Sequence, residues 1–189
     1  MCGPPYERVS NAMRKPAHIS SNSVSLAGEF AVLSQLYLHG YEANMTLGHT
    51  KNVDILISDP CAGSMYKLEV KTNYQNSSNK PHVSKAHGKF VSGWIMHEKH
   101  ETITDPDLFY CFVNIGQETN LFKFYIVPST VVAQYVLDQH RHWLKQKTKE
   151  GKKVKETDMR IFRIGFKKEK YAVRTPAAER YENNWGFRK

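Results

Sequence analysis

Hydrophobic positions in the chain follow helical spacing in two segments. The first, LAGEFAVLSQLYLH, follows two candidate N-caps, Ser23 and Ser25, and stops at Gly40, a favourable residue at a helix C-terminus. The second starts at Ser129 and runs through STVVAQYVLDQHRHWLKQ. Both segments are therefore predicted to be helices.

Extended patterns fill much of the remaining chain. VDILIS and MYKLEVKT are β-rich runs joined by the turn DPCAGS, whereas LFYCFVNI and LFKFYIVP are apolar runs of buried-strand length. RIFRIGF alternates as a strand does, and YEANMTL is a weaker strand pattern. This order of elements predicts an α/β domain with a mixed central sheet flanked by helices.

Two segments have neither pattern. Residues 1–22 are polar and contain proline, so we expect a loosely packed leader before a single domain spanning 23–189. Residues 73–93 are rich in turn formers and are predicted to be a mobile loop or substrate lid. We expect the aromatic side chains of Phe90 and Trp94 to lie in the core rather than stack on bases.

A basic surplus indicates the class of partner. The 189 residues include 27 Lys and Arg against 18 Asp and Glu, a net charge of +9, which favours a polyanion such as nucleic acid. The region from about 145 to 189 is basic, with six Lys and one Glu between Lys145 and Lys155. This stretch is either a solvated surface or a contact to the phosphate backbone that reads no sequence. The candidate backbone contacts are Lys80, Lys85, His87, Lys89, Lys145, Lys152 and Lys153.

The cysteines and the hydropathy favour a soluble cytoplasmic protein. Cys2, Cys61 and Cys111 form no CxxC pair, so neither a disulfide framework nor a structural zinc site is expected. No apolar run approaches the roughly 20 residues of a membrane helix, and the N-terminal segment lacks the apolar region of a signal peptide. We therefore expect no membrane partner.

Charged residues interrupt two of the predicted strands. In LEVK, Glu69 and Lys71 share one face because side chains alternate along a strand, while Leu68 and Val70 face the core. Asp54 lies inside the run VDILI, where strand propensity disfavours it. The alternatives to a functional site are an exposed ion pair on an edge strand and an acid bonded to loop backbone.

These two strands are close enough in sequence to form an antiparallel hairpin. With the turn centred in DPCAGS, Ser58 pairs with Met65, and the same register sets Asp54 opposite Glu69. Two carboxylates about 5 Å apart repel each other unless one is protonated or a cation lies between them. A divalent metal supplies that cation, and Mg²⁺ prefers carboxylate oxygens.

Glu29 adds a third acid on the first predicted helix. On a helical wheel, Glu29 falls between Leu33 and Leu36, inside an apolar stripe that we expect to face the core. The stripe comprises Leu26, Phe30, Leu33, Leu36 and Tyr37. A buried acid needs a basic partner or belongs to a site, and Lys71 is the candidate partner. The alternative is an acid tolerated at the edge of the stripe.

A helix Glu, a strand Asp and Glu-X-Lys on the next strand together resemble the PD-(D/E)XK nuclease superfamily. That group includes restriction endonucleases, archaeal Holliday junction resolvases and several repair nucleases. The matching residues are Glu29, Asp54, Glu69 and Lys71, within residues 25–72, about a quarter of the chain. The spacing is most similar to that of the junction resolvases, although Asp54 follows a valine where the motif commonly has proline.

The resemblance implies a restriction-endonuclease-like core and a Mg²⁺-dependent endodeoxyribonuclease of the restriction, repair or junction-resolving type. Mn²⁺ would be able to substitute, and the enzyme would act on DNA as a homodimer. Asp54 and Glu69 would hold the metal with the backbone carbonyl of Val70. Lys71 would position or deprotonate the attacking water or stabilise the transition state, and Glu29 would orient Lys71 or contact a second metal.

Gln75, just past the predicted strand, corresponds to a supporting polar residue in some members of the family. Two other functions remain open. One is a nucleic-acid-binding module that keeps the fold and the basic surface without catalysis. The other is a protein that has a basic surface but binds no nucleic acid.

Overall fold

A five-stranded mixed sheet forms the centre of the computed structural model, which describes residues 19–46, 52–75, 81–85, 87–155 and 157–188. The strands in chain order are β1 (Glu42–Met45), β2 (Ile55–Asp59), β3 (Ser64–Gln75), β4 (His82–Ser84), β5 (Gly88–Phe90), β6 (Ser92–His97), β7 (Leu108–Gly116), β8 (Phe122–Pro128) and β9 (Met159–Ile164). The helices are α1 (Ser21–Leu38), α2 (Ser129–Lys149) and the single turn α3 (Ala178–Tyr181).

The strand order in the central sheet is β1-β2-β3-β7-β8. The first three strands form an antiparallel meander, β3 runs parallel to β7, and β7 pairs antiparallel with β8. Strands β4 and β5 form a separate hairpin, and β6 pairs with β9 as a two-stranded ribbon. The predicted mixed α/β architecture is confirmed.

Apolar side chains cover both faces of this sheet. On one face, α1 packs on β1, β3 and β7, and the apolar cluster beneath it includes Val32, Leu36, Ile57 and Leu68. On the other face, α2 and the β6–β9 ribbon enclose an aromatic core. Its aromatic members include Trp94, Tyr110, Phe112, Tyr125, Tyr135 and Phe162. Strand β3 therefore lies at the centre of the molecule, buried on both sides.

The first helix starts earlier than the sequence pattern predicts. Ser20 is the N-cap, and its side chain accepts a hydrogen bond from the N–H of Ser23 at 3.0 Å. Ser23 and Ser25 therefore lie within the helix, as do the last two residues of the predicted leader 1–22. The rest of that leader, up to residue 18, lies outside the described residues. Gly40 follows the C-cap with φ of 82°, as expected for a helix end.

The predicted buried stripe of α1 is wrong. Leu26, Phe30 and Tyr37 are 40%, 58% and 56% exposed, whereas the helix buries a face that contains Gly28 and Val32. Leu36 is buried and Leu33 half-buried, as the stripe predicted. The physical reason is close packing: a Cβ atom added at position 28 would lie 1.9 Å from Thr72 Oγ1. The missing side chain lets α1 approach β3, and this contact sets the rotation of the helix.

The predicted loop over residues 73–93 is also largely wrong. Its first three residues extend β3, its middle contains the β4–β5 hairpin, and Ser92 begins β6. Residues 76–80 and 86 lie outside the described part of the chain. Trp94 is buried, as predicted, and its Nε1 donates to the Val113 carbonyl at 2.9 Å, whereas Phe90 is half-buried. The prediction failed because β4 and β5 are only three residues long, too short to show a strand pattern among so many turn-forming residues.

The described residues contain two cysteines, and both are free thiols. Cys61 is exposed and Cys111 is buried, and burial raises the pKa of the Cys111 thiol. Cys2 lies outside the described part of the chain. Within the described residues, no helix is long and apolar enough to cross a membrane.

Candidate functional site

The Glu69–Lys71 pair lies on a central strand. Both side chains project from the face of β3 opposite to Leu68 and Val70, which pack in the core beneath α1. Glu69 is only 3% exposed, and its Oε1 lies 2.5 Å from Lys71 Nζ. The alternative of an exposed ion pair on an edge strand is therefore wrong.

A buried histidine makes a second contact with this carboxylate. His100 is 2% exposed in the 3₁₀ turn Glu98–Glu101, and its Nε2 lies 3.3 Å from Glu69 Oε1. Burial opposes the ionisation of Glu69, but the hydrogen bonds from His100 and Lys71 outweigh burial and lower the pKa of Glu69 to about 2. Glu69 is therefore a buried carboxylate held in its charged form.

The second oxygen of Glu69, Oε2, is buried and forms no hydrogen bond of regular geometry within the described structure. The hydroxyl of Tyr110, which pairs with Glu69 across β3 and β7, interacts with this carboxylate at short range. Burial and the neighbouring Glu69 carboxylate both raise the pKa of Tyr110, so this hydroxyl keeps its proton. A further ligand of Glu69 would therefore share this carboxylate with the Tyr110 hydroxyl.

Asp54 directly precedes β2, at the point where the edge of β3 opens. Its N–H donates to the carbonyl of Leu68 at 2.8 Å, and its Oδ2 accepts from the N–H of Val70 at 2.7 Å. The Asp54 carboxylate thus accepts the hydrogen bond from the Val70 N–H that a backbone carbonyl of a longer β2 would accept. The N–H and carbonyl of one strand residue point to the same side, so the Val70 carbonyl lies on the same open edge as Asp54.

The hairpin register agrees with the sequence prediction. Ser58 pairs with Met65, and the ladder continues in the same register to Ile55 opposite Leu68. Asp54 is the next residue beyond that ladder and is close enough to Glu69 for the two charges to interact. Burial raises the pKa of Asp54, and Glu69 adds to this, while the Val70 hydrogen bond and Lys71 act in the opposite direction.

Glu29 reaches the same site from α1. It is half-buried and accepts a hydrogen bond from Ser25 Oγ at 3.2 Å. Burial raises the pKa of Glu29, Asp54 raises it further, and Lys71 lowers it. The helix acid, the strand acid and the lysine are therefore within electrostatic reach of one another.

Sequence reasoning missed two residues of the site, and one turn supplies both. The segment MHEKH folds so that His100 contacts Glu69, while Lys99 lowers the pKa of Asp54 and donates from Nζ to Asn52 Oδ1 at 2.6 Å. His97 and His100 stand at i and i+3, as metal ligands can, but no HExxH motif is present, so their spacing predicts no metal site. A lone histidine 31 residues from its partner carries no sequence signal of that contact.

The donor set suits a hard cation better than a metal such as zinc. The described residues contain no group of three or more His, Cys, Asp and Glu side chains placed to hold a metal ion. The carboxylates of Asp54 and Glu69 and the backbone carbonyl of Val70 remain as candidate donors. Oxygen donors of this kind, completed by water and substrate phosphate, are the usual Mg²⁺ environment.

Gln75 does not join these carboxylates. It is the last residue of β3 rather than a residue past the strand, and it lies six positions beyond Glu69, roughly 20 Å along an extended chain. Its Oε1 is 3.5 Å from Ser92 Oγ, at the start of β6. Gln75 therefore lines a different part of the same face of the sheet.

The candidate DNA-contacting lysines differ in their surroundings. Lys85, Lys145 and Lys153 are exposed. Lys89 lies 3.7 Å from Glu169, and Lys152 lies 3.0 Å from Glu150, so acids partly neutralise these two. Lys80 lies outside the described residues. Contact of these side chains with DNA stays a prediction.

No protein-family model and no curated protein matches the sequence. Among solved structures, the chain is similar to the bacterial homing endonuclease I-Ssp6803I, with a TM-score of 0.48 and 14% sequence identity. The similarity covers 88% of this chain and 89% of that chain. Similarity at this level does not establish an activity, so the proposal below rests on the geometry of the site.

Proposed function

We propose that the chain is a metal-dependent nuclease with a restriction-endonuclease-like core that hydrolyses DNA phosphodiester bonds, with Mg²⁺ as the cofactor. The observation that carries the proposal is the buried Glu69 carboxylate, which is charged, bonded to Lys71, and adjacent to a second acid, Asp54. Lys71 and His100 compensate Glu69, but the pKa of Asp54 beside it stays raised, so a divalent cation at this pair would stabilise a charge that these basic residues do not fully balance.

Each residue has a distinct part in this proposal. Asp54, Glu69 and the Val70 carbonyl would hold Mg²⁺, which when bound polarises a phosphate and lowers the pKa of its coordinated water. Lys71 would position the attacking water or stabilise the negative charge that develops on the phosphate. Glu29 would orient Lys71, because it acts on the same charges from the helix side.

The test is nicking of supercoiled plasmid in the presence of Mg²⁺ or Mn²⁺. Wild type should cut, and Glu69→Ala and Lys71→Ala should each lose at least about a hundredfold in rate, the usual scale for removing one group that stabilises a transition state. The matched control is Lys67→Ala. Lys67 lies on the same strand face and pairs with Asp105, and its loss should leave cutting unchanged.

The principal alternative is a binding module of the same fold without catalysis. It predicts salt-sensitive DNA binding that Glu69→Ala retains, with no metal-dependent cutting on plasmid, junction or flap substrates. That combination of results would overturn the nuclease proposal. A protein with a basic surface and no nucleic-acid function predicts no salt-sensitive binding at all.

We also propose that the nuclease acts as a homodimer, since cleavage of two DNA strands needs two sites. The outer face of α1 supports this: Leu26, Phe30 and Tyr37 are exposed there, and the helix contains no basic residue and a single acid, Glu29. Because the chain carries a net charge of +9, two copies repel each other when basic surfaces meet. At this face of α1 they would meet without bringing basic residues into contact.

A further inference from the structure

A lysine-rich turn follows β9. Residues 166–171 read FKKEKY, and Lys167, Lys168 and Lys170 are all exposed. The N–H of Glu169 donates to the carbonyl of Phe166 at 3.1 Å, which sets Lys167 and Lys168 at the two central positions of a tight turn. The ammonium groups of this turn are therefore presented to solvent.

Tyr171 fixes the backbone of this turn. Its hydroxyl accepts a hydrogen bond from the N–H of Phe166 at 2.7 Å, across the whole turn. Gly165 leaves room for the ring, because a Cβ atom added there would lie 2.5 Å from the Tyr171 hydroxyl. The backbone that carries the lysines is thus ordered before any ligand binds, which lowers the entropy cost of binding.

The β4–β5 hairpin lies beside the turn. A Cβ atom added at Gly88 would lie 3.9 Å from the ring of Tyr171, and Lys89 Nζ lies 3.7 Å from Glu169 Oε1. Lys85, at the tip of the hairpin, is exposed. The hairpin and the turn therefore form one surface, which we call the lysine surface. Its five basic residues are Lys85, Lys89, Lys167, Lys168 and Lys170.

Acids balance only part of this charge. Glu169 is paired with Lys89. Burial raises the pKa of Tyr171, and Glu169 and Glu179 act in the same direction, so Glu179 is a second acid near the turn. Five lysines outnumber these two acids. Exposed charges of one sign repel one another, and a polyanion relieves that repulsion when it binds.

The hairpin extends from the strand that carries the candidate active site. It connects Gln75, the last residue of β3, with Ser92, the first residue of β6. Asn73 anchors that end of the sheet by donating to Ser92 Oγ at 3.0 Å. Gln75 shares a strand face with Glu69 and lies six residues further on, roughly 20 Å along the strand, or about six steps of 3.4 Å along a duplex. A duplex that extends from the carboxylates along β3 would therefore reach the lysine surface roughly half a helical turn from the cut.

We propose that the lysine surface binds the phosphate backbone of the DNA that flanks the cut site. Lysine ammonium groups bind phosphates as point charges, so these contacts would hold and orient a duplex without reading its sequence. The choice of DNA as the partner rests on the proposed function. The sequence suggested Lys85 and Lys89 as backbone contacts, whereas the turn after β9 adds three lysines and joins both segments into one surface.

The test measures binding of the full chain to a short fluorescent DNA duplex in EDTA, so that no cleavage occurs, over a series of NaCl concentrations. The slope of log affinity against log salt concentration reports how many phosphates the protein neutralises, at about 0.9 per phosphate. We expect Lys167→Gln and Lys168→Gln each to reduce the slope by about 0.9, and the double variant by about twice as much. The matched control is Lys123→Gln, which removes one exposed lysine from the edge strand β8 and should leave the slope unchanged.

A variant of opposite sign makes the test stricter. Glu169→Gln removes the acid that pairs with Lys89 and should tighten binding by about two- to fivefold, the scale of an exposed ion pair. Its control is Glu42→Gln, which removes an exposed acid from β1, the other edge strand of the central sheet. We expect no change in affinity in Glu42→Gln.

Wild-type slopes in both lysine variants, or an equal reduction in Lys123→Gln, would overturn the lysine surface, since lysines that serve only solubility behave in this way. Wild type that shows no salt-sensitive binding would overturn it as well. The nuclease proposal is judged separately, by nicking with Mg²⁺. A chain that shows the expected slopes but never cuts keeps the lysine surface and loses the proposed catalysis.

Discussion

At the scale of single residues, Glu69 and Asp54 are neighbouring acids whose pKa values are shifted in opposite directions. Hydrogen bonds from His100 and Lys71 overcome burial at Glu69 and lower its pKa to about 2, whereas burial raises the pKa of Asp54. Environments that separate the pKa values of adjacent acids are typical of active sites. The difference also makes stability depend on pH.

We predict that replacing these acids has opposite effects on stability in metal-free buffer. The folded-state pKa of Glu69 is lower than its usual 4.5, so its contribution is complete above about pH 4.5 and is lost as the pH falls towards 2. Wild type should lose about 3 kcal/mol more free energy of unfolding across this range than Glu69→Gln does. Urea unfolding at a series of pH values measures this difference.

Ionisation of Asp54 has the opposite effect on the free energy of unfolding. Because its pKa is raised on folding, its ionised form destabilises the folded state at neutral pH, and Asp54→Asn should be more stable than wild type there. The asparagine Oδ1 can still accept from the Val70 N–H. A neutral-pH loss of stability in Asp54→Asn would contradict this assignment of charge.

A second prediction at this scale concerns His100. Since His100 is buried and contacts Glu69 Oε1, we expect it to position the carboxylate. His100→Ala should lower nicking activity by about 10- to 100-fold and raise the Mg²⁺ concentration needed for half-maximal rate. His97→Ala is the control, because His97 is exposed and its ring pairs with Asp158. If His100→Ala needs the same Mg²⁺ concentration as wild type for half-maximal rate, His100 does not position the Glu69 carboxylate for metal binding.

The sequence predicted the paired site residues better than the isolated ones. Alternation along β3 placed Glu69 and Lys71 on one face, and the short turn fixed the register that brings Asp54 to them. His100 depends on a contact between distant parts of the chain. No periodicity reports such a contact, so its place in the site was not predictable from sequence.

At the scale of elements, the contact between α1 and β3 decides how the helix lies. Gly28 is buried against Thr72, and this one close approach outweighs several large apolar residues that remain exposed. The hydrophobic pattern identified the helix and its C-terminal end correctly. It could not identify the buried face, because apolar residues mark what a helix can bury and a glycine marks how closely it can pack.

We predict that Gly28→Ala destabilises the protein by roughly 1–3 kcal/mol, as overpacking of a tight contact does, although alanine favours the helix. The added Cβ would lie 1.9 Å from Thr72 Oγ1, so helix and strand must separate. Thermal unfolding measures the loss, and nicking should fall with it because Glu29 is displaced.

Two further variants make this prediction specific. Ser34→Ala, on the exposed face of the same helix, should be neutral or stabilising. Adding Thr72→Ala to Gly28→Ala removes the closest clashing atom and should recover part of the stability. If Gly28→Ala alone is as stable as wild type, the close approach does not set the position of the helix.

At the scale of the whole molecule, α1 combines exposed apolar residues with an absence of basic residues. The basic residues give a net charge of +9, yet α1 carries none of them and exposes Phe30 at 58%. The sequence predicted the basic surplus, but it predicted that the apolar residues of the first helix would be buried, and only the structure shows that several are exposed.

We predict that wild type sediments as a dimer and that Phe30→Glu shifts it to monomer, because each interface would then contain two buried charges. Sedimentation velocity at moderate salt measures the change. The control is Leu121→Glu, a similar substitution at another exposed apolar residue, 68% exposed and distant in sequence. Monomeric wild type, or a dimer that Phe30→Glu leaves intact, would contradict the proposed interface.

The glycine at position 28 has a consequence for how the site tolerates insertions and deletions. Successive residues of a helix are rotated by about 100° around its axis. Only one rotation of α1 about that axis therefore places Gly28, which has no side chain, against Thr72. Glu29 follows Gly28 directly, and Lys71 precedes Thr72 directly. One missing side chain therefore sets the direction of the helix acid. A residue inserted between Gly28 and Glu29 would rotate that acid away from the site, whereas one inserted before Ser20 would leave the site unchanged.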